Sequence, residues 1–194
     1  LLIRKDSYAE TNSFKLKENA VLGTSSKRRK ALITHFRPDI GIKKIGGAID
    51  SQIEELRLEK YDGIILAKAD LDLLQIDVSD FETLVLNPRE FIPAPGQGVI
   101  AYQTRIEDRE LRKNLARWTS RKLVRIINVE RKIHQLIDGT IGAFCEMDAM
   151  GHFHVWACHA DQDGKNLKIV QYSSSTNHQL AETIVKKLKN DLDI

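Results

Sequence analysis

An α/β architecture, a parallel-sheet domain followed by a small α+β domain, is predicted by three observations. Short apolar runs alternate with helical patterns through the first half of the chain. Three of the four prolines gather between Pro88 and Pro95, where they read as a hinge. Beyond that hinge, helical stretches and strand-like runs separate into blocks instead of alternating.

In the first half, Ala20 to Thr24 is an apolar run closing in small residues, the pattern of a buried strand. Ser25 and Ser26 offer an N-cap, so Lys27 to Phe36 reads as a helix that Pro38-Asp39 ends. Ile40 to Ile45 is a second strand before the Gly46-Gly47 turn. Asp50 or Ser51 caps a helix running to about Lys60, and Ile64 to Ala67 is a third buried strand. A short helix over Asp70 to Gln75 follows. This strand–helix alternation implies parallel pairing with crossover helices. The hinge spans residues 88–104, and Val99 to Thr104 is expected to add a strand.

In the second half, Asp108 to Trp118 and Ser120 to Ile137 read as helices. Phe144 to Met150, His152 to Ala160 and Leu167 to Ser173 read as strands, the last two joined through Asp163-Gly164, a hairpin signal. Gln179 to Leu192 is an amphipathic helix carrying Leu180, Ile184, Val185 and Leu188 on one face. The expected domains are therefore 1–104, including the hinge, and 107–194.

Composition narrows the function classes. The 194 residues are 42% hydrophobic and 29% charged, enough for a packed core and unlike a disordered chain. A net charge of +3 is far from the dense basic stripe of a nucleic-acid binder, so no nucleic-acid partner is expected. No apolar run reaches membrane-spanning length and no signal-peptide pattern opens the chain, so no membrane partner is expected. Two cysteines make no disulfide framework and suit a reducing, cytoplasmic setting. The opening Leu1-Leu2-Ile3-Arg4-Lys5-Asp6 reads like the interior of a protein, which sets up the expectation of a preceding segment.

Three places could carry chemistry. Gly23-Thr24-Ser25-Ser26-Lys27-Arg28-Arg29 puts a helix start and two arginines together. It reads either as an anion site, with backbone N–H groups, helix dipole and guanidinium forks converging, or as a capped helix with a solvated basic face. Cys145, expected in a loop after Gly142-Ala143-Phe144, reads either as a nucleophile activated by neighbouring cations or as a small buried apolar residue. His152, His154 and Cys158 share one face of a strand, which invites a metal reading. An outward polar face is the plainer alternative, and no metal site is assigned.

These segments, in this order, resemble the porphobilinogen deaminase (hydroxymethylbilane synthase) family. Gly23 to Arg29 is similar to its GTSSxRR signature. Arg37-Pro38-Asp39 and Tyr61 to Ala69 are similar to its RPDL and YDAIILAxAG stretches, and Pro93 to Gly98 to its PAxGQG hinge. Val129-Glu130-Arg131 through Cys145 falls where the family has ERAFLxxLxGGC. The resemblance runs from about residue 2 to near the C-terminus. It implies a periplasmic-binding-protein-like second domain and a small third domain, with a first domain missing from this chain.

It also implies tetrapyrrole (heme) biosynthesis: a cytoplasmic transferase polymerising porphobilinogen, a pyrrole carrying carboxylates, with loss of ammonia. A dipyrromethane cofactor would be held by a thioether to Cys145, with Ser26, Arg28 and Arg29 as cofactor-binding residues. The family's catalytic aspartate lies in the missing domain, so no catalytic residue is assigned here. The chain departs from the pattern at several positions. Gly46, Gln52 and Leu73 stand where the family has carboxylate-binding arginines, Asp70 replaces a glycine, and Glu146 and Asp148 place acids near the thiol. Losing one charged partner of a carboxylate costs about 1.5–3 kcal/mol. These 194 residues alone are therefore expected to lack deaminase activity, and a non-catalytic carboxylate-binding module or degenerate homologue is the alternative.

Overall fold

The computed structural model describes residues 1–189 and divides into two compact units. The first comprises Leu1–Phe91 together with Ala160–Leu167, and the second Ile92–His159 together with the residues from Lys168 onward.

The first unit is built on a five-stranded sheet. Its strands are β1 (Leu2–Arg4), β2 (Val21–Gly23), β3 (Gly41–Lys43), β4 (Gly63–Ile64) and β5 (Phe81–Thr83), in the spatial order β3-β2-β4-β1-β5. The strand–helix alternation gives the expected parallel pairing for β2 with β3 and for β2 with β4. The sheet as a whole is mixed, because β1 runs antiparallel to both β4 and β5. Three helices follow the parallel strands: α1 (Lys27–Phe36), α2 (Ile49–Arg57) and α3 (Lys68–Leu74). The α1 bounds coincide with the sequence reading, since Ser26 caps its start and Arg37-Pro38 ends it. Helix α2 begins at Ile49 after Ala48, which supplies no side-chain cap, so neither Asp50 nor Ser51 is the cap. It buries Ile53 and Leu56 in a core with Leu2, Ile45, Tyr61, Ile64 and Phe81. Burying two such side chains stabilises the unit by about 1.5–3 kcal/mol each.

Close packing explains two glycines. A Cβ on Gly63 would lie 2.8 Å from the Leu2 carbonyl oxygen and 2.9 Å from Leu22 Cδ2. One on Gly23 would meet Ile64 at 3.0 Å and Tyr61 at 3.1 Å. Arg37, of the Arg-Pro-Asp stretch, is a structural clamp. Its guanidinium donates to the carbonyls of Ser13 (2.6 Å), Leu16 (3.2 Å) and Lys17 (3.2 Å) and grips both oxygens of Asp39. The loop it holds carries Phe14 and Lys15 at positive φ.

The second unit has the sheet order β6-β7-β8, with β6 (Thr140–Met147), β7 (Phe153–Ala160) and β8 (Lys168–Ser174). β7 and β8 are antiparallel, from Phe153↔Ser174 to His159↔Lys168. Helices α4 (Arg109–Trp118) and α5 (Arg121–Leu136) start at the capping side chains of Asp108 and Ser120. α6 (Leu180–Lys189) completes the unit, and the expected extension to Leu192 lies outside the described residues. α5 packs on β6 and α6, and α6 on β8. The core holds Ile133, Ile141, Ala143, Phe153, Val155, Ile184 and Leu188.

Two expectations are corrected here. Val99 to Thr104 forms no strand; Ile100 and Tyr102 are exposed and the segment pairs with none of the described strands. β6 begins at Thr140, ahead of the strand start expected at Phe144, so Gly142 and Ala143 sit inside the strand.

Candidate functional site

Because β2, β3 and β4 are parallel, their carboxyl ends fall on one edge of the sheet, and each leads into a helix start. The chain leaves β2 for β3 and then crosses back over β2 to β4. Open α/β sheets bind ligands beyond the carboxyl ends of such strands. Here that edge carries the Gly23–Arg29 corner. The Thr24 N–H donates to the Lys43 carbonyl (3.0 Å), and Thr24 Oγ1 accepts from the Ser26 N–H (3.2 Å). The Ser25 hydroxyl donates to the Ile45 carbonyl, and Ser26 Oγ accepts from the Arg29 N–H (3.3 Å). Arg28 is buried in the first turn of α1. Arg29 Nη1 donates to the Ile65 carbonyl (2.6 Å), tying α1 to the end of β4. Burial lowers the Arg29 pKa, with Asp70 pulling the other way. A guanidinium so placed stays charged and keeps nitrogens for a planar acceptor. The corner therefore fits a carboxylate.

The departures from the family pattern add no cation there. Gly46 is open to solvent, and the Gln52 amide is spent on the Gly47 carbonyl (2.9 Å). Asp70 is exposed, and Leu73 is 82% exposed.

Cys145 requires a correction. It lies within β6, as the strand reading of Phe144 to Met150 and the buried apolar reading expect, and not in a loop with activating cations; it sits on the face that carries Ile141 and Ala143 into the core. Its neighbours are carboxylates, not activating cations. Burial, then Glu130, then Glu146 push the thiol up to about 12. In this arrangement it does not fit the role of a reactive thiolate, which needs a depressed pKa and access. In the sequence Glu130 stands out only as part of the Val129-Glu130-Arg131 stretch. Its buried carboxylate accepts from the Cys145 N–H (2.8 Å) and from the Gly96 N–H (2.7 Å). Two inward backbone donors explain why a charged residue can sit inside α5. An acid surrounded by apolar helix positions was the available signal.

The histidine strand separates into individual roles. His154 Nδ1 pairs with Ser173 Oγ (2.8 Å) and its Nε2 with Asp148 Oδ2 (3.2 Å). His152 faces the same carboxylate oxygen at 3.5 Å, while Cys158 is fully buried. Among the described residues no group of three or more His, Cys, Asp or Glu side chains is arranged to hold a metal ion. No described helix is long and apolar enough to cross a membrane.

Comparison with known proteins bears on the carboxyl-edge corner. The sequence model described as "Porphobilinogen deaminase, dipyromethane cofactor binding domain" matches residues 1–113. The chain belongs to the porphobilinogen deaminase family. It is 33% identical to porphobilinogen deaminase of Bacillus pumilus over 197 residues, covering 98% of this chain and 61% of that protein. It is 35% identical to that of Bacillus cereus over 185 residues, covering 93% and 57%. It is 38% identical to a probable porphobilinogen deaminase of Ignicoccus hospitalis over 139 residues, covering 71% and 43%. The chain thus spans between 43% and 61% of the length of these relatives. The Ser26–Arg29 corner lies inside the segment matched by the family's cofactor-binding domain, and Cys145 lies beyond it.

Proposed function

We propose that this chain forms the second and third domains, residues 1–104 and 107–194, of a porphobilinogen deaminase. Ser26, Arg28 and Arg29 are read as holding the carboxylates of a dipyrromethane cofactor. Cys145 is read as its attachment point, in a conformation other than the buried one. The observation that carries this reading is the α1 corner: a capped helix start, two arginines and the carboxyl ends of parallel strands, all within the matched segment. When bound, the cofactor would supply a covalently anchored pyrrole chain bearing carboxylates. The chain's own part is electrostatic: Ser26 fixes the first turn of α1, and the Ile65 contact orients the Arg29 guanidinium. No step is assigned to Cys145 as placed, because its burial and raised pKa oppose thiolate formation.

The partners in this reading are a carboxylate-bearing pyrrole substrate and a preceding domain, with neither nucleic acid nor membrane involved, and two cysteines outside any disulfide support a cytoplasmic setting. The 194 residues alone are expected to turn over no porphobilinogen. A second reading, a non-catalytic carboxylate binder, is favoured by the buried Cys145 and by Gly46, Gln52 and Leu73 in place of arginines.

Intact mass of the purified chain, with Ehrlich's reagent, separates the two. A dipyrromethane increment on Cys145 supports the first. Unmodified Cys145, with a thermal shift on adding small polycarboxylates that Arg29→Gln abolishes, supports the second. Absence of both the increment and the shift refutes both, and conversion of porphobilinogen to a tetrapyrrole refutes the expected inactivity.

A further inference from the structure

β6 is an edge strand of its sheet, and its outer edge is covered by the Pro93–Gly98 turn instead of another strand. The Ala143 N–H donates to the Pro93 carbonyl (3.0 Å). Two residues on, where a ladder would place an acceptor opposite the Cys145 N–H, the turn instead brings the Gly96 N–H. Gly96 holds φ +72°, a left-handed conformation suited to glycine, so the turn is built to point this donor inward. Two donors facing each other need an acceptor between them. Glu130 supplies it from α5, with Oε2 accepting from Gly96 (2.7 Å) and Oε1 from Cys145 (2.8 Å). The turn is held in shape by Gln97, whose N–H donates to the Ala94 carbonyl (3.1 Å) and whose Oε1 accepts from the Ala94 N–H (3.2 Å).

We propose that Glu130 is the positioning residue of Cys145: a carboxylate latch that ties α5 and the Pro93–Gly98 turn to the edge of the cysteine strand, and whose release loosens the α5 packing that buries the thiol. Only a carboxylate serves, because it presents an acceptor to each donor. A carboxamide of the same shape offers one acceptor and turns its NH2 against the other N–H. The latch accounts for the mismatch between a buried cysteine and the attachment role implied for it. Its meaning for the reaction rests on the proposed function, but the latch itself is tested without cofactor or substrate.

The test is alkylation of the full chain by iodoacetamide, with Cys145 and Cys158 followed separately by peptide mass spectrometry. Cys158 is also buried and serves as the internal control for general loosening. In Glu130→Asp, which keeps the charge that raises the thiol pKa but is one methylene too short to reach both donors, the Cys145 rate should rise about tenfold to a hundredfold, as loss of a charge-assisted bond implies, while Cys158 changes less than about twofold. Equal acceleration of both thiols, or an unchanged Cys145, overturns the proposal. If that variant does not fold, amide exchange of the unaltered chain decides: Gly96 and Cys145 should open together, with matching protection. Different protection at the two amides refutes the latch. An absent mass increment in the unaltered chain would instead count against the attachment role of Cys145 and leave the latch standing.

Discussion

Replacing Arg37 with alanine should unfold the first unit far more readily than its place at a helix end suggests. The guanidinium satisfies three backbone carbonyls in the 13–17 loop, and the Leu16 bond is buried. A buried bond to a charged donor contributes about 1.5–3 kcal/mol, and the two half-buried carbonyls, which water can partly reach on loss of the arginine, about 0.5–1 kcal/mol each. The solvent-facing Asp39 carboxylate would simply hydrate. The net expectation is a loss of about 2.5–5 kcal/mol. Urea unfolding followed through amide signals of Leu22 and Ile33, both fully buried in this unit, measures it. Arg37→Lys keeps the charge but one ammonium cannot reach four acceptors, so it should recover less than half the loss. A loss under about 1 kcal/mol for Arg37→Ala, or a lysine variant equal to the parent, would refute the clamp.

Ser26→Ala removes the α1 cap and should cost about 1 kcal/mol in the same assay, with Ser26→Gly costing less. Gly63→Ala places a methyl against the Leu2 carbonyl and Leu22, so protection of the paired β1 and β4 amides should collapse first in hydrogen exchange. For Cys145 the folded pKa lies above that of the unfolded chain, so the folded state keeps a proton that the unfolded state loses. Its contribution is whole below about pH 8.5 and falls as pH rises toward about 12. Stability measured across that alkaline range should decline less steeply in Cys145→Ala.

The sequence made legible what local chemistry controls. Ser26, Asp108 and Ser120 set the starts of α1, α4 and α5 because a capping oxygen needs only nearby N–H groups. Strands β1 and β5 were not legible, since three residues show no periodicity and their partners lie far along the chain. Val99 to Thr104 misled for the converse reason: strand-forming residues make no strand without a neighbour. At the candidate site, the Gly23–Arg29 corner was readable as a strand-to-helix turn. The burial of Cys145 was one of its two readings, and only the register of β6 and a glutamate from α5 decide for it.

The place of β1 sets the order in which the first unit can be completed. Leu2 and Ile3, among the least exposed side chains, are clasped between strands ending at Ile64 and Thr83. A chain emerging from the ribosome therefore holds these two sticky residues without their strand partners until the segment reaching Thr83 has followed. Such distant pairing slows folding and lengthens exposure to aggregation. Production of this protein should be sensitive to chaperone supply during synthesis, even if the finished fold is stable.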